Sequence, residues 1–486
     1  MKRLILLIMV ILPIICHAQT LEEALGYGLP VVVVNTVNGE EPTAERIDAP
    51  EGCIGYGITN ATKVPGRVRI YLPGDASNPA YDSGEYVDGK SGMTIKIRGN
   101  TSGTATAKKP FKLKLQKKVD LLLRNNRKYG DKDWALLNTI PESMLFRCPI
   151  TWMVGNKVAE IFKVTDWVPA SMYVNLIVNN NYRGFYQLTE TIKRNDKCRI
   201  DVEEATGYIS EIDPYWWNED INVGSLLLQT ASHNLYKFTF KYPDNDDITE
   251  ENLNDFKEYI DLFDASMEKG SYPLYIDVES CARWLLAHQL LGTMDGAGSN
   301  VYLIRRNDQS KLEMGPLWDF DSVFWVQGRW TNIMGYHYFK WMLQNSPNKL
   351  LAREMIRIWN TERERIMTEV TDFYESLPGS LIAKAIDFSI KSDFRRWYVR
   401  MDDMNTTVGR LRKWFSTRAE EIDSLMTMLN TIDGDLTYDS IDVTDEEPTS
   451  DKLDGMARKV LLGNHLYIIR NNETYSVNGQ RITKGN

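Results

Sequence analysis

The chain reads as an α+β protein with a β-rich N-terminal region and a helical C-terminal part. Three observations predict this. Alternating or apolar runs, Leu29–Asn35 and Gly66–Leu72, come early and are parted by turn-rich segments such as Pro73–Pro79. Residues 349–430 carry helical periodicity, as in Leu351–Trp359 and Val408–Leu429. Between them lie paired strand signals and one amphipathic helix. At 486 residues, 43% of them hydrophobic, the chain has room for two or three domains with a substantial core.

Met1-Lys-Arg3, the apolar run Leu4–Ile15 and Cys16-His-Ala18 have the three parts of a secretory signal peptide, with cleavage expected after Ala18. Ile15 stands where a lipid-anchoring signal wants a small residue before Cys16. No other apolar run approaches the roughly 20 residues of a membrane span. The expected location is therefore exported: periplasmic, cell-surface or secreted. Loss of Lys2 and Arg3 takes the formal charge from −9 to −11, which argues against nucleic acid as a partner. Cys53, Cys148, Cys198 and Cys281 form no C-x-x-C pair, and the five histidines are scattered, so neither zinc nor a Ser-His-Asp site is indicated.

Past residue 90, Thr94–Ser102 and Ala107–Leu115 read as a strand, a Gly-containing turn and a Lys-bearing strand, which is one way to build an anion site from amide N–H groups and an ammonium. Counting back by two from Phe111, Leu113 and Leu115 puts Lys109 on their face and Lys108, Lys112 and Lys114 on the other. Lys109 is the first choice for a phosphate contact; a bulge at Pro110 would favour Lys112 or Lys114 instead. The competing reading is a hairpin with solvated lysines. Ser171–Val178 and Gly184–Ile192 flank Asn179–Arg183 as another hairpin, and Glu190 on its second strand is placed to pair with the phosphate lysine.

Asp277–Gly292 reads as a helix and leads into Asp295-Gly-Ala-Gly-Ser-Asn300. Val301–Ile304 and Leu312–Leu317 then form a hairpin that returns Trp318-Asp319-Phe320-Asp321 beside that loop. A carboxylate five positions before an amide, with a second acidic pair downstream, suits phosphoryl transfer, which needs one Asp to orient the acceptor hydroxyl and an Asn with an Asp to hold Mg²⁺ on the phosphates. The competing reading is that Asp295 and Asp321 only cap turns.

Arg98-Gly-Asn-Thr-Ser102 with Lys108–Leu115, Gly184–Glu190, Gly207-Tyr-Ile-Ser-Glu211-Ile-Asp213, Asp295–Asn300 and Pro316–Asp321 together resemble the spore coat protein H (CotH) kinase family over roughly residues 90 to 330. Leu317, between Pro316 and Trp318, departs from the family's usual Pro-Trp-Asp. The resemblance implies an atypical protein-kinase-like, two-lobed fold that phosphorylates serine or threonine of secreted or surface proteins. It implies Asp295 as the catalytic carboxylate, nucleotide contacts from Arg98, Lys109, Lys112, Glu190 and Trp318, and metal ligands among Asn300, Asp319 and Asp321. The cofactors implied are ATP and Mg²⁺, with Mn²⁺ as an alternative.

The chain then divides into a signal peptide (1–18), a β-rich region (19–90), the catalytic domain (91–345), a helical subdomain (346–430), an acidic linker (431–456) and a short β tail (457–486). The tail is similar to sorting modules of secreted Bacteroidetes proteins; a terminal hairpin is the alternative. An exported kinase is the favoured reading. A nucleotide-binding pseudokinase that assists surface assembly and a metal-dependent phosphoester or glycan hydrolase are the alternatives.

Overall fold

The computed structural model describes residues 20–140, 146–228, 236–294, 296, 299–325, 334, 337–344, 349–431, 458–462, 465–470, 473–476 and 481–482. The expected signal peptide, Asp295 and linker residues 432–456 lie outside the described residues.

The chain opens with α1 (Leu21–Leu25), whose first turn is closed by a capping box between Thr20 and Glu23. Then come β1 (Val31–Thr36), the hairpin β2 (Glu45–Asp48) and β3 (Tyr56–Thr59), β4 (Val64–Tyr71), β5 (Tyr81–Asp82), β6 (Met93–Ile97), α2 (Thr101–Ala105), β7 (Phe111–Val119), β8 (Asp131–Leu137), α3 (Thr151–Phe162), β9 (Ser171–Val178) and β10 (Asn181–Glu190). β1, β9, β10, β8, β7, β6 and β4 pair in that order, and β4 returns to β1, so the sheet closes into a barrel. β1 runs parallel to β9, and the other neighbours in the ring are antiparallel.

Alternation explains the filling. Met93, Ile95 and Ile97 on β6, Phe111, Leu113 and Leu115 on β7, and Trp134 and Leu136 on β8 all belong to the barrel interior. Val32 and Val34 of β1 join them, while Val31 and Val33 pack outward with Ala24 and Leu25 of α1. A strand buried on both faces reads as an uninterrupted valine run, as this one does. The boundary expected at residue 90 falls inside this barrel: β1 and β4 come from before it and the remaining strands of the ring from after it.

The second half holds β11 (Tyr208–Asp213), β12 (Lys237–Tyr242), α4 (Glu250–Lys269), α5 (Val278–Leu291), β13 (Val301–Arg305), β14 (Leu312–Met314), α6 (His337–Gln344), α7 (Leu350–Glu375), α8 (Leu381–Trp397) and α9 (Met404–Thr431). β12, β11, β13 and β14 form an antiparallel sheet in that order. α5 starts on Asp277, whose carboxylate accepts from the Ser280 N–H, and ends at Gly292 in the left-handed region. Its ten buried residues run unbroken from Trp284 to Leu291 with Cys281 and Ala282 before them, so it is an axial helix wrapped by others.

Residues of α3, α5, α7 and α9 share one core with Ala135, Leu137, Tyr173 and Phe185 on the outer face of the barrel. The helices of 350–431 therefore belong to the same core as the site-bearing sheet. Among the described residues no helix is long and apolar enough to cross a membrane, and Cys53, Cys148, Cys198 and Cys281 are free thiols. At the C-terminus, β15 (Arg458–Leu462), β16 (His465–Arg470), β17 (Glu473–Ser476) and β18 (Arg481–Ile482) pair as an antiparallel meander.

Candidate active site

The acidic turn is fixed by its backbone. Gly315 N–H donates to Tyr302 O at 2.7 Å, Met294 N–H to Ser322 O at 3.2 Å and Phe324 N–H to Leu291 O at 2.8 Å. These bonds clamp residues 315–324 between β13 and the end of α5. Phe320 anchors the middle by packing on α3 at Gly155, where a Cβ would come within 2.2 Å of the ring, so only glycine admits it. Asp319 itself has φ +65 and Asn300 has φ +61, a left-handed conformation that Asp and Asn tolerate best among residues with a side chain.

On this frame the side chains of Asn300 and Asp321 both hydrogen-bond to Asp319, and the charge of Arg98 acts on it. Burial raises the Asp319 carboxyl above the usual carboxylate value, and Arg98 pulls it the other way. Arg98, Asn138, Thr139, Trp152, Asp319 and Asp321 line one small cavity between the barrel and α3. Two carboxylates in direct contact hold a proton or a cation between them, and the donors here are all oxygens, the set that Mg²⁺ prefers. Among the described residues no group of three or more His, Cys, Asp and Glu is arranged to hold a metal. Mg²⁺ commonly takes only one or two protein carboxylates and completes its shell with water and phosphate, so the group fits this site.

Lys241 was not singled out by sequence, and Glu211 and Asp213 entered only as part of a motif, with no role in the site. Glu211 accepts from the Asn300 backbone N–H at 3.3 Å and pairs with Lys241 at 2.9 Å. Asp213, two residues along β11, accepts from Tyr215 N–H at 2.7 Å and Thr239 O–H at 3.1 Å. Burial, with Glu211 beside it, pushes the Asp213 carboxyl up to about 7. The sequence signal was the spacing: Glu211 and Asp213 share a face of β11, and Glu211 stands opposite Thr239 on β12 and Tyr302 on β13.

Four expected nucleotide contacts are not among the residues that line this cavity. β7 begins at Phe111, so alternation does not reach Lys109, whose ammonium donates to Thr104 O at 3.2 Å. The Phe111 face is the barrel interior, and a solvated lysine has no place on it. Lys112 lies on the outer face opposite Lys96 and pairs with Asp133 at 3.2 Å. Among the described residues Glu190 meets no lysine: it pairs with Arg124 at 2.7 Å and accepts from Trp167 Nε1 at 3.2 Å and Ala170 N–H at 3.0 Å, on the floor of a separate cleft. The cause is its position, three residues beyond Gln187, which pairs with the site-lining Leu137. Trp318 is 6% exposed and packs edge-on against Trp152 at 4.9 Å, with the Arg98 guanidinium 6.0 Å from its ring, so it anchors the turn from within the core.

A family model described as CotH kinase protein matches residues 95–422. Among solved structures, the crystal structure of the Helicobacter pylori proinflammatory kinase CtkA is similar at 10% identity and a TM-score of 0.31, over 61% of this chain and 90% of that one. No curated protein matches the chain.

Proposed function

Because the chain belongs to the CotH kinase family, we propose that it is an exported atypical protein kinase that moves the γ-phosphoryl group of ATP to serine or threonine of secreted or surface proteins. The observation that carries this reading is the meeting of Asn300, Asp319 and Asp321 beside Arg98. In this reading the barrel is one lobe and the β11–β14 sheet with its helices is the other. Export rests on the N-terminal 18 residues.

Asp319 and Asp321, with Asn300, would hold Mg²⁺, which when bound neutralises phosphate charge. Arg98 adds a fixed cation to the transferring group. Glu211, locked to Lys241, holds the Asn300 backbone in place. Asp295, five residues before Asn300, orients the acceptor hydroxyl and takes its proton as the new oxygen–phosphorus bond forms and the bond to ADP breaks.

Calorimetric titration of the full chain tests the site. Mg·ATP should bind at least about tenfold more tightly than metal-free ATP, and Asp319→Ala should erase that difference. Equal affinity with and without Mg²⁺ in the unaltered protein overturns the assignment.

A further inference from the structure

We infer that the cleft between α9 and the segment after the acidic turn docks an acidic stretch of the acceptor protein that carries one large apolar side chain. The word acceptor rests on the kinase reading; the site rests on its own geometry. The cleft encloses about 350 Å³. Its floor is aromatic: the Phe324 ring lies 4.7 Å from that of Phe146 and 5.4 Å from that of Trp414. Arg410, Lys413 and Arg418 line it against one carboxylate, Glu421. These residues rise on successive turns of α9, so the basic wall runs roughly 12 Å along the helix, the reach of a short extended peptide rather than of a compact ligand.

The wall is preset. Arg418 is 1% exposed and is held by the Gln289 side chain at 3.2 Å and by Glu421, while Lys413 is exposed at the rim. Arg410 is braced by Asp402 at 3.0 Å. Phe324 adopts φ +60, a conformation that an aromatic residue rarely takes, and its N–H is pinned to Leu291 O. That strained backbone aims the ring at the cleft and lies only three residues past Asp321. A segment seated on Phe324 is therefore within about 10 Å of chain from the acidic turn. The cationic wall favours acidic segments and repels basic ones.

The test is fluorescence anisotropy on the full chain without nucleotide. The probes are a fluorescein-labelled serine peptide rich in Asp and Glu around one Phe, and a counterpart with Lys in place of each acid. The acidic peptide should bind more tightly, and Lys413→Glu, alone or with Thr417→Glu, should weaken it by about tenfold without weakening the basic one. Both positions are exposed, so folding is preserved. Equal binding of the two peptides, or an acidic peptide indifferent to Lys413→Glu, overturns the proposal. Acidic-peptide binding that persists while no peptide is phosphorylated supports the docking site and counts against the kinase reading.

Discussion

Lys108 Nζ lies 3.0 Å from Asp393 Oδ2 with both side chains fully buried, an ion pair joining the barrel to α8. Asp393 Oδ1 also accepts from Phe185 N–H at 3.0 Å, and Lys108 reaches Phe185 O and Thr139 Oγ1. Asn138 donates to Lys108 O at 2.7 Å. Asn138 and Thr139 line the site cavity, so this pair supports one of its walls.

Removing one partner leaves a buried charge, at a cost of about 3–5 kcal/mol. Asp393→Ala should lower stability by that order in chemical denaturation. Lys108→Met with Asp393→Asn should cost clearly less than the two single changes added together. Additive losses would show that the two charges do not interact.

Glu190 separates site from scaffold. Since it serves Arg124, Trp167 and Ala170, Glu190→Gln should reduce stability by about 1–3 kcal/mol, the cost of disturbing a buried hydrogen-bonded group. It should leave ATP affinity unchanged. A loss of ATP affinity at unchanged stability would return Glu190 to the nucleotide site.

Asp213 gives a pH signature. Its folded value of about 7 lies above the usual value near 3.9, so the folded chain holds a proton that the unfolded chain has released. The resulting stability is fully present below about pH 4 and is lost as pH rises through about 7. His288, pushed down to about 3 by burial, has the opposite slope, losing stability as pH falls below about 6.5. Its contribution is common to both proteins. Relative to Asp213→Asn, the unaltered chain should therefore lose stability between pH 4 and 7; parallel denaturation profiles would refute the assignment.

Local signals made much of the fold legible. Asp277 and Gly292 mark the ends of α5 by capping chemistry, and the β9–β10 hairpin follows from its Asn-rich turn. The barrel was not legible, because its closure is a pairing between β1 and β4 that also requires β9 at the far edge of β1. At the site, the meeting of Asn300 with Asp319 and Asp321 followed from order along the chain. Lys108 was passed over because its partner lies 285 residues away, and Lys241 because its pairing with Glu211 reaches across from the neighbouring strand.

The most direct measurement incubates the purified full chain with γ-labelled ATP, Mg²⁺ and a serine-rich acceptor protein. Label should appear on acceptor serine or threonine, disappear with EDTA, and fall by a factor on the order of 10² or more in Asp295→Asn while ATP affinity holds. Label released to water instead, or ATP bound with no transfer under any condition, would contradict the kinase account.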